Sequence, residues 1–214
     1  MLQVETFVFN PVAVNTYVVW DDETAECIVV DAGNHSPDEH MLLQHFIESN
    51  RLTVKHLAAT HLHFDHIFGN RFVSNRFEVG LSAHPDDRFL LDNFAMQARI
   101  FGIESEEDTI PVSHCIHEGD SLTAGKYTFT ALHVPGHSPG SLVYYCAEAG
   151  IAFGGDVLFR GSIGRTDLWG GNYDQLIDGI KKKLLVLPDA TTVYTGHGPR
   201  TTVGYEKSRN PYLQ

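Results

Sequence analysis

The stretch Thr60-His61-Leu62-His63-Phe64-Asp65-His66 puts four metal-capable side chains within six positions. Neutral imidazole nitrogens and a carboxylate oxygen suit zinc, iron or manganese. A single histidine here would be an ordinary loop residue, whereas His-x-His-x-Asp-His reads as a ligand set. The apolar run Leu57-Ala58-Ala59 precedes it and Gly69-Asn70 follows. That pattern predicts a strand entering a turn, with His61 and His63 on one strand face because side chains alternate along a strand.

Three further apolar runs end in the same way. Phe129–Val134 leads to His137, Ile151–Phe153 to Asp156, and Val193–Tyr194 to His197. Glycine directly precedes each of these residues, as Gly136, Gly155 and Gly196, and lets the backbone turn sharply or pack closely. Strand ends of an open sheet converge where the strands stop, which is a rigid place for a metal. Seven donors suit two cations sharing one bridge. Two such cations lower the pKa of a bound water from near 15.7 towards about 7, and the resulting hydroxide attacks an ester-like carbonyl. A thiolate leaves without much acid assistance, since thiol pKa is about 8.5. No serine or cysteine nucleophile is required, and Ser138 and Ser141 read as turn residues.

The intervening chain must position these groups. Residues 2–9, Val14–Trp20 and Cys27–Val30 read as strands, the last ending in Asp31-Ala32-Gly33. Ser36-Pro37-Asp38-Glu39 reads as a capping box opening a helix to about Asn50, with Leu42, Leu43, Phe46 and Ile47 as its apolar stripe and His40 and His45 solvated. A strand over Val54–Ala59 delivers the histidine cluster, and Glu78–Ala83 reads as another. His84 reads as a turn residue. Residues 86–103 read as a helix packed on the domain or as a flap offering apolar surface beside the metal site. Glu104–Asp108 reads as an acidic loop. Tyr127–Val134, Ser141–Cys146 and Thr191–Thr195 read as strands, and Asn172-x-x-Gln175 opens a helix ending in Lys181-Lys182-Lys183, where cations complement the helix dipole.

Bulk composition bounds the answer. The 214 residues, 43% of them hydrophobic, suit one domain over 1–214 with a sizeable core. A formal charge of −12 argues against nucleic acid and anionic membrane as partners. No apolar run approaches the roughly 18 residues of a membrane span, and no secretory signal is read at the N-terminus. Cys27, Cys115 and Cys146 are odd in number and far apart, so free thiols and a cytoplasmic setting are expected.

At His61-x-His63-x-Asp65-His66 the chain resembles the metallo-β-lactamase superfamily, whose signature is His-x-His-x-Asp-His. The later strand ends extend the resemblance over nearly the whole length. Within the superfamily it looks like the compact glyoxalase II-like thioester hydrolases. The resemblance implies an α+β fold, a four-layer αβ/βα sandwich. It implies that His61, His63 and His137 hold one divalent metal, that Asp65, His66 and His197 hold a second, and that Asp156 bridges them. Zinc is expected first, with iron or manganese as alternatives. Asp65 and Asp156 are read as catalytic as well as ligating, and Asp31 as a support of the metal loop. The implied substrate is S-D-lactoylglutathione or another small thioester. Arg165 is a candidate for a substrate carboxylate, or else a structural partner of Asp167.

Other branches fit less well. Secreted β-lactamases carry a cysteine where this chain has Asp156, RNA-processing relatives need an inserted domain and a basic face, and flavin-linked relatives need an added module. Gly164-Arg165-Thr166-Asp167 with Gly170-Gly171 also resembles sulfur dioxygenases that oxidise glutathione persulfide at one iron, held by counterparts of His61, His137 and Asp156. Gly196-His197-Gly198-Pro199, Asn210-Pro211 and Leu213-Gln214 look like short bacterial glyoxalase II-like proteins and favour the hydrolase. A third reading is a non-catalytic metal-binding protein. Full-length glyoxalase II adds a C-terminal helical domain with glutathione contacts, and this chain stops about where that domain would begin. Whether glutathione is required is not legible. Oligomeric state is not legible.

Overall fold

Both faces of the central strands are apolar, so the strands must be covered on both sides. In the computed structural model, which describes residues 1–103 and 109–214, they form two six-stranded sheets packed face to face. The acidic stretch Glu104–Asp108 lies outside the described residues. The first sheet runs β1 (Leu2–Phe9), β2 (Val14–Asp21), β3 (Glu26–Val30), β4 (Thr53–Ala58), β5 (Leu81–Ala83) and β6 (Val112–Cys115), in that spatial order. The first three strands pair antiparallel and the last four parallel.

The second sheet contains β7 (Ser121–Ala124), β8 (Tyr127–His133), β9 (Leu142–Cys146) and β10 (Ile151–Gly155). After a separate ribbon of β11 (Leu158–Phe159) and β12 (Ser162–Ile163), β13 (Thr192–Thr195) and β14 (Thr201–Thr202) complete it. Its spatial order is β14-β13-β10-β9-β8-β7.

Alternation along each strand sorts the core into three layers. Tyr17 and Val19 of β2 and Ile28 and Val30 of β3 meet Phe129, Tyr144 and Phe153 between the sheets. Val14, Val18, Cys27 and Val29, one position out of phase, face the helical layer of α1 (Pro37–Ser49), α2 (Asn70–Phe77), α3 (Arg88–Asp92) and α4 (Phe94–Ile100). On the far side, Val134, Val143 and Ala152 pack on α5 (Tyr173–Gly179) and the π-helical turn Ile180–Leu184 that continues it. The last helix, α6 (Val203–Arg209), follows β14. The layers stack as α, β, β, α. Among the described residues, no helix is long and apolar enough to cross a membrane. The three cysteines are free, Cys27 and Cys146 buried and Cys115 exposed.

Several local expectations hold. Ser36 caps α1, accepting from Glu39 N–H, while the Glu39 side chain accepts from Ser36 N–H. Asn172 caps α5 by accepting from Gln175 N–H. Others do not. On α1, Leu43 and Ile47 are buried but Leu42 is 52% exposed, so the inward stripe is narrower than its composition suggests. His40 is half-buried, with its ring stacked on Phe72 at 4.3 Å. The segment 86–103 breaks into α3 and α4 at Asn93. The strand expected over Glu78–Ala83 starts only at Leu81, because Glu78 adopts φ +57° and ends α2. Most consequentially, β4 stops at Ala58, so His61 and His63 lie on irregular chain and not on a strand face.

Strand direction places the candidate metal ligands. β8 is antiparallel to β9, β9 to β10, and β10 is parallel to β13. The chain therefore leaves β8, β10 and β13 at the same edge, carrying His137, Asp156 and His197. Strands β3 and β4 are parallel, so Asp31 and His61 also share an edge. The two edges are tied together: Leu142 N–H donates to Thr60 O at 2.8 Å, and Asn15 N–H to Gly196 O at 2.7 Å.

Gly136 must enter that edge with φ +133°, and a Cβ there would lie 2.4 Å from the Leu176 backbone nitrogen. Gly136→Ala is expected to cost about 3 kcal/mol, measured as a lower urea midpoint. An unchanged midpoint would refute this role for the glycine.

Candidate metal centre

The Nδ1–H groups of four histidines are each taken by a protein acceptor, which turns the opposite nitrogen inward. His137 Nδ1–H donates to Arg165 O at 2.8 Å, and His197 Nδ1–H to Ala13 O at 3.2 Å. His66 Nδ1–H donates to Asp31 Oδ2 at 3.0 Å. Thr60 Oγ1 gives its own proton to Asp31, so it accepts from His61 Nδ1–H at 3.2 Å. Such partners fix the tautomer and the ring orientation of a metal ligand.

The inward atoms converge. His137 Nε2 lies 2.8 Å from His63 Nδ1 and 3.2 Å from His61 Nε2. Three imidazole nitrogens thus meet, and the acceptors on the far side of His61 and His137 leave both of their Nε2 atoms there as lone pairs. His197 Nε2 lies 3.1 Å from Asp65 Oδ2, and His66 Nε2 lies 3.7 Å from the same oxygen. Asp156 stands between the groups, its Oδ2 at 3.5 Å from His137 Nε2 and 3.7 Å from His197 Nε2, its Oδ1 at 3.4 Å from His66 Nε2. His66 Nε2 and Asp156 Oδ1 are buried without a hydrogen-bond partner. A buried polar atom without a partner is costly, and cations at the centre would satisfy both atoms. All seven side chains expected to act together lie in one cluster.

The electrostatics favour cations. Burial, together with His66 and His137, pushes His61 well below the ordinary histidine range, and burial and His137 push His63 down to about 3. Both are neutral at physiological pH, with free lone pairs. Burial opposes ionisation of Asp65 and Asp156, but His66 and the surrounding imidazoles outweigh it and hold both carboxyls below their usual value. Burial likewise opposes charging of His66, yet Asp65, Asp156 and Asp31 together raise its pKa well above normal. Carboxylates that so stabilise a positive charge on His66 would also hold a metal cation.

Two carboxylates set the loops. Asp31, at φ +52°, accepts from Thr60 N–H at 2.6 Å and from Thr60 Oγ1–H at 2.7 Å. It orients the start of the histidine cluster as well as His66. Asp87 is fully buried and was not legible as functional. It accepts from Leu62 N–H at 3.2 Å, Ser138 Oγ–H at 2.7 Å and Gly140 N–H at 2.6 Å. It therefore clamps the chain between His61 and His63 to the loop carrying His137. Burial raises its pKa despite those donors. Nothing local distinguishes it from Asp86, whose side chain is 60% exposed. Ser138 and Ser141 are buried members of this clamp, with Oγ atoms 2.8 Å apart.

Arg165 forms a two-pronged ion pair with Asp167, Nε and Nη2 each 2.7 Å from a carboxylate oxygen. His84 does not reach the centre; its ring stacks on His133 at 4.1 Å. A cavity of about 360 Å³ opens over the cluster, and Leu90, Gln97, Ile100 and Phe101 of the 86–103 segment form part of its wall.

Two outcomes follow. Asp31→Ala or Asp87→Ala should weaken zinc affinity by about 10–100-fold, read by competition with a chromophoric chelator; unchanged affinity in both would refute the clamp. His197 is also raised, since burial is outweighed by Asp65 and Asp156. Protons on His66 and His197 compete with metal. Because both folded-state values are raised, the competition is strongest at low pH and fades as pH climbs through them. Zinc affinity should therefore increase as pH rises through and above the ordinary histidine range, with proton release on binding; a flat profile contradicts it.

Comparison with known proteins agrees with this geometry. A family profile described as the metallo-beta-lactamase superfamily matches residues 9–197. Hydroxyacylglutathione hydrolase GloC of Haemophilus influenzae is 36% identical over 200 residues, 93% of this chain and 92% of that protein. The structure of BLEG-1 B3 metallo-beta-lactamase superposes with a TM-score of 0.88 at 36% identity, covering 99% of this chain and 100% of that one. TTHA1623 in a di-iron-bound form superposes with a TM-score of 0.87 at 34% identity, covering 98% and 100%. With its two packed sheets, flanking helices and matching sequence profile, the chain belongs to the metallo-beta-lactamase superfamily and has that α+β sandwich fold.

Proposed function

We propose that the protein is a metal-dependent hydrolase that cleaves a small thioester, in the manner of glyoxalase II acting on S-D-lactoylglutathione. His61, His63 and His137 would hold one divalent cation and Asp65, His66 and His197 a second, with Asp156 placed to serve both. The observation that carries the reading is the meeting of the His61, His63 and His137 ring nitrogens beside the Asp65 and Asp156 carboxylates at the floor of an open cavity. The likeness to GloC and to a di-iron structure supports it. A donor set of imidazole and carboxylate suits zinc, iron or manganese.

Bound divalent cations acidify water and polarise a carbonyl. The chain supplies the rest. Asp65 and Asp156 accept hydrogen bonds from the attacking water and orient it, and the neighbouring apolar wall limits bulk solvent. In the reaction the water oxygen bonds to the acyl carbon and the carbon–sulfur bond breaks. A carboxylate, a thiol and one proton result. Thiolate is a good leaving group, so no separate general acid is needed.

Two other readings use the same donors: a mononuclear iron dioxygenase acting on glutathione persulfide, and a metal-binding protein without turnover. Metal analysis and three assays separate them. Thioester hydrolysis, reduced at least about 10³-fold in His61→Ala, is the expected result. Oxygen uptake with persulfide by iron-loaded protein, without thioester hydrolysis, would replace this reading with the dioxygenase. Tight metal with neither activity would leave only binding. A β-lactam is included as the third substrate, given the likeness to BLEG-1.

A further inference from the structure

Building on the hydrolase reading, we propose that the thioester taken by this site is uncharged and apolar, with a medium-chain or aromatic acyl group, and is not a glutathione conjugate. The cavity lies in the size range of small-molecule sites. Its wall is formed by Val12, Leu90, Ile100, Phe101, Leu168 and Trp169. Ile100 is 67% exposed, Trp169 45% and Phe101 44%, so the rim presents large apolar side chains to solvent. Exposed apolar surface gathered at the mouth of a site marks a ligand contact. The wall is continuous with the donor cluster: Phe101 packs on Phe64 at a ring separation of 4.9 Å, and Phe64 sits between His63 and Asp65 in sequence.

Charge argues in the same direction. A glutathionyl group carries two carboxylates. Among the described residues lining the cavity, Arg165 is the sole Arg or Lys, and Asp167 already holds its guanidinium along one edge. Asp65, Asp156 and Asp167 line the same space, and the whole chain carries a formal charge of −12. Carboxylates entering here would lose water with little cationic compensation from the protein. An acyl chain would instead exchange water for the apolar wall. The chemistry is ordinary hydrolysis: water adds to the acyl carbon, the carbon–sulfur bond breaks, and a fatty or aromatic carboxylate, a thiol and a proton leave.

The test uses the metal-loaded full chain with S-acyl-N-acetylcysteamine thioesters from acetyl to octanoyl, and S-D-lactoylglutathione alongside. We expect kcat/KM to climb by up to about fourfold per added methylene until the wall is filled. The best member should exceed lactoylglutathione by more than about tenfold. Trp169→Ala and Ile100→Ala should flatten the climb. Asp167→Ala, which releases Arg165, should raise kcat/KM for lactoylglutathione relative to the acyl series. A flat series, or preference for lactoylglutathione, overturns the apolar assignment while the hydrolase reading stands. Metal-loaded protein inert towards every thioester overturns both.

Discussion

Seven side chains that repel or attract one another strongly are packed where the edges of the two sheets meet, and two carboxylates beneath them make that arrangement possible. Asp31 takes the hydrogen of His66 and the amide and hydroxyl of Thr60. Asp87 takes one amide from the histidine cluster and one from the His137 loop. Each is acceptor-only when ionised, so each selects donors, and Asp31 thereby turns the opposite nitrogen of His66 inward. The imidazoles and carboxylates above them form a donor set that divalent cations would complete. Without these supports the nitrogens would rotate to bond one another or solvent.

The two sheets contribute direction and stiffness. β8, β10 and β13 leave the second sheet at the same edge, because their pairings return the chain to one orientation at every second step and then once in parallel, and β4 delivers the histidine cluster from the first sheet. Aromatic packing between the sheets, such as Tyr17 on Phe153 at 5.1 Å, fixes the distance between the two edges. Tyr17 Oη also donates to Thr195 O at 2.6 Å, beside the turn that presents His197. Burial of the interlayer core therefore acts directly on the geometry of the site. The donors can be irregular in backbone because the strands before them are not.

The site has two chemically distinct halves. Its floor is all imidazole and carboxylate, and its wall is apolar and partly exposed. The apolar side chains beside the floor lower the local dielectric and strengthen the charge interactions there. The helices α3 and α4 owe their division to this role. Asn93 separates them, its side chain donating to Phe89 O at 2.7 Å, and Gln97 donates to Leu90 O at 2.7 Å across the break. The bend brings Leu90, Ile100 and Phe101 to the same cavity.

Local chemistry in the chain determined a good deal. His61, His63, Asp65 and His66 are close in sequence, and the glycines before His137, Asp156 and His197 mark abrupt strand exits; these features are short-range and need no fold to be seen. The strands β1, β2, β3 and β8, the capping box at Ser36 and the cap at Asn172 were legible for the same reason. Tertiary structure alone decided which carboxylates matter behind the ligands. Asp87 reaches Ser138 and Gly140 across more than fifty positions, and no local pattern separates it from its exposed neighbour Asp86. It alone decided that β4 ends before the histidines, since the Thr60 and Leu62 amides go to Asp31 and Asp87 instead of a ladder. It also decided that Arg165 is engaged with Asp167 and that Leu42 points outward. Long-range hydrogen bonds and burial depend on which surfaces meet, and that information exists only once the chain has closed on itself.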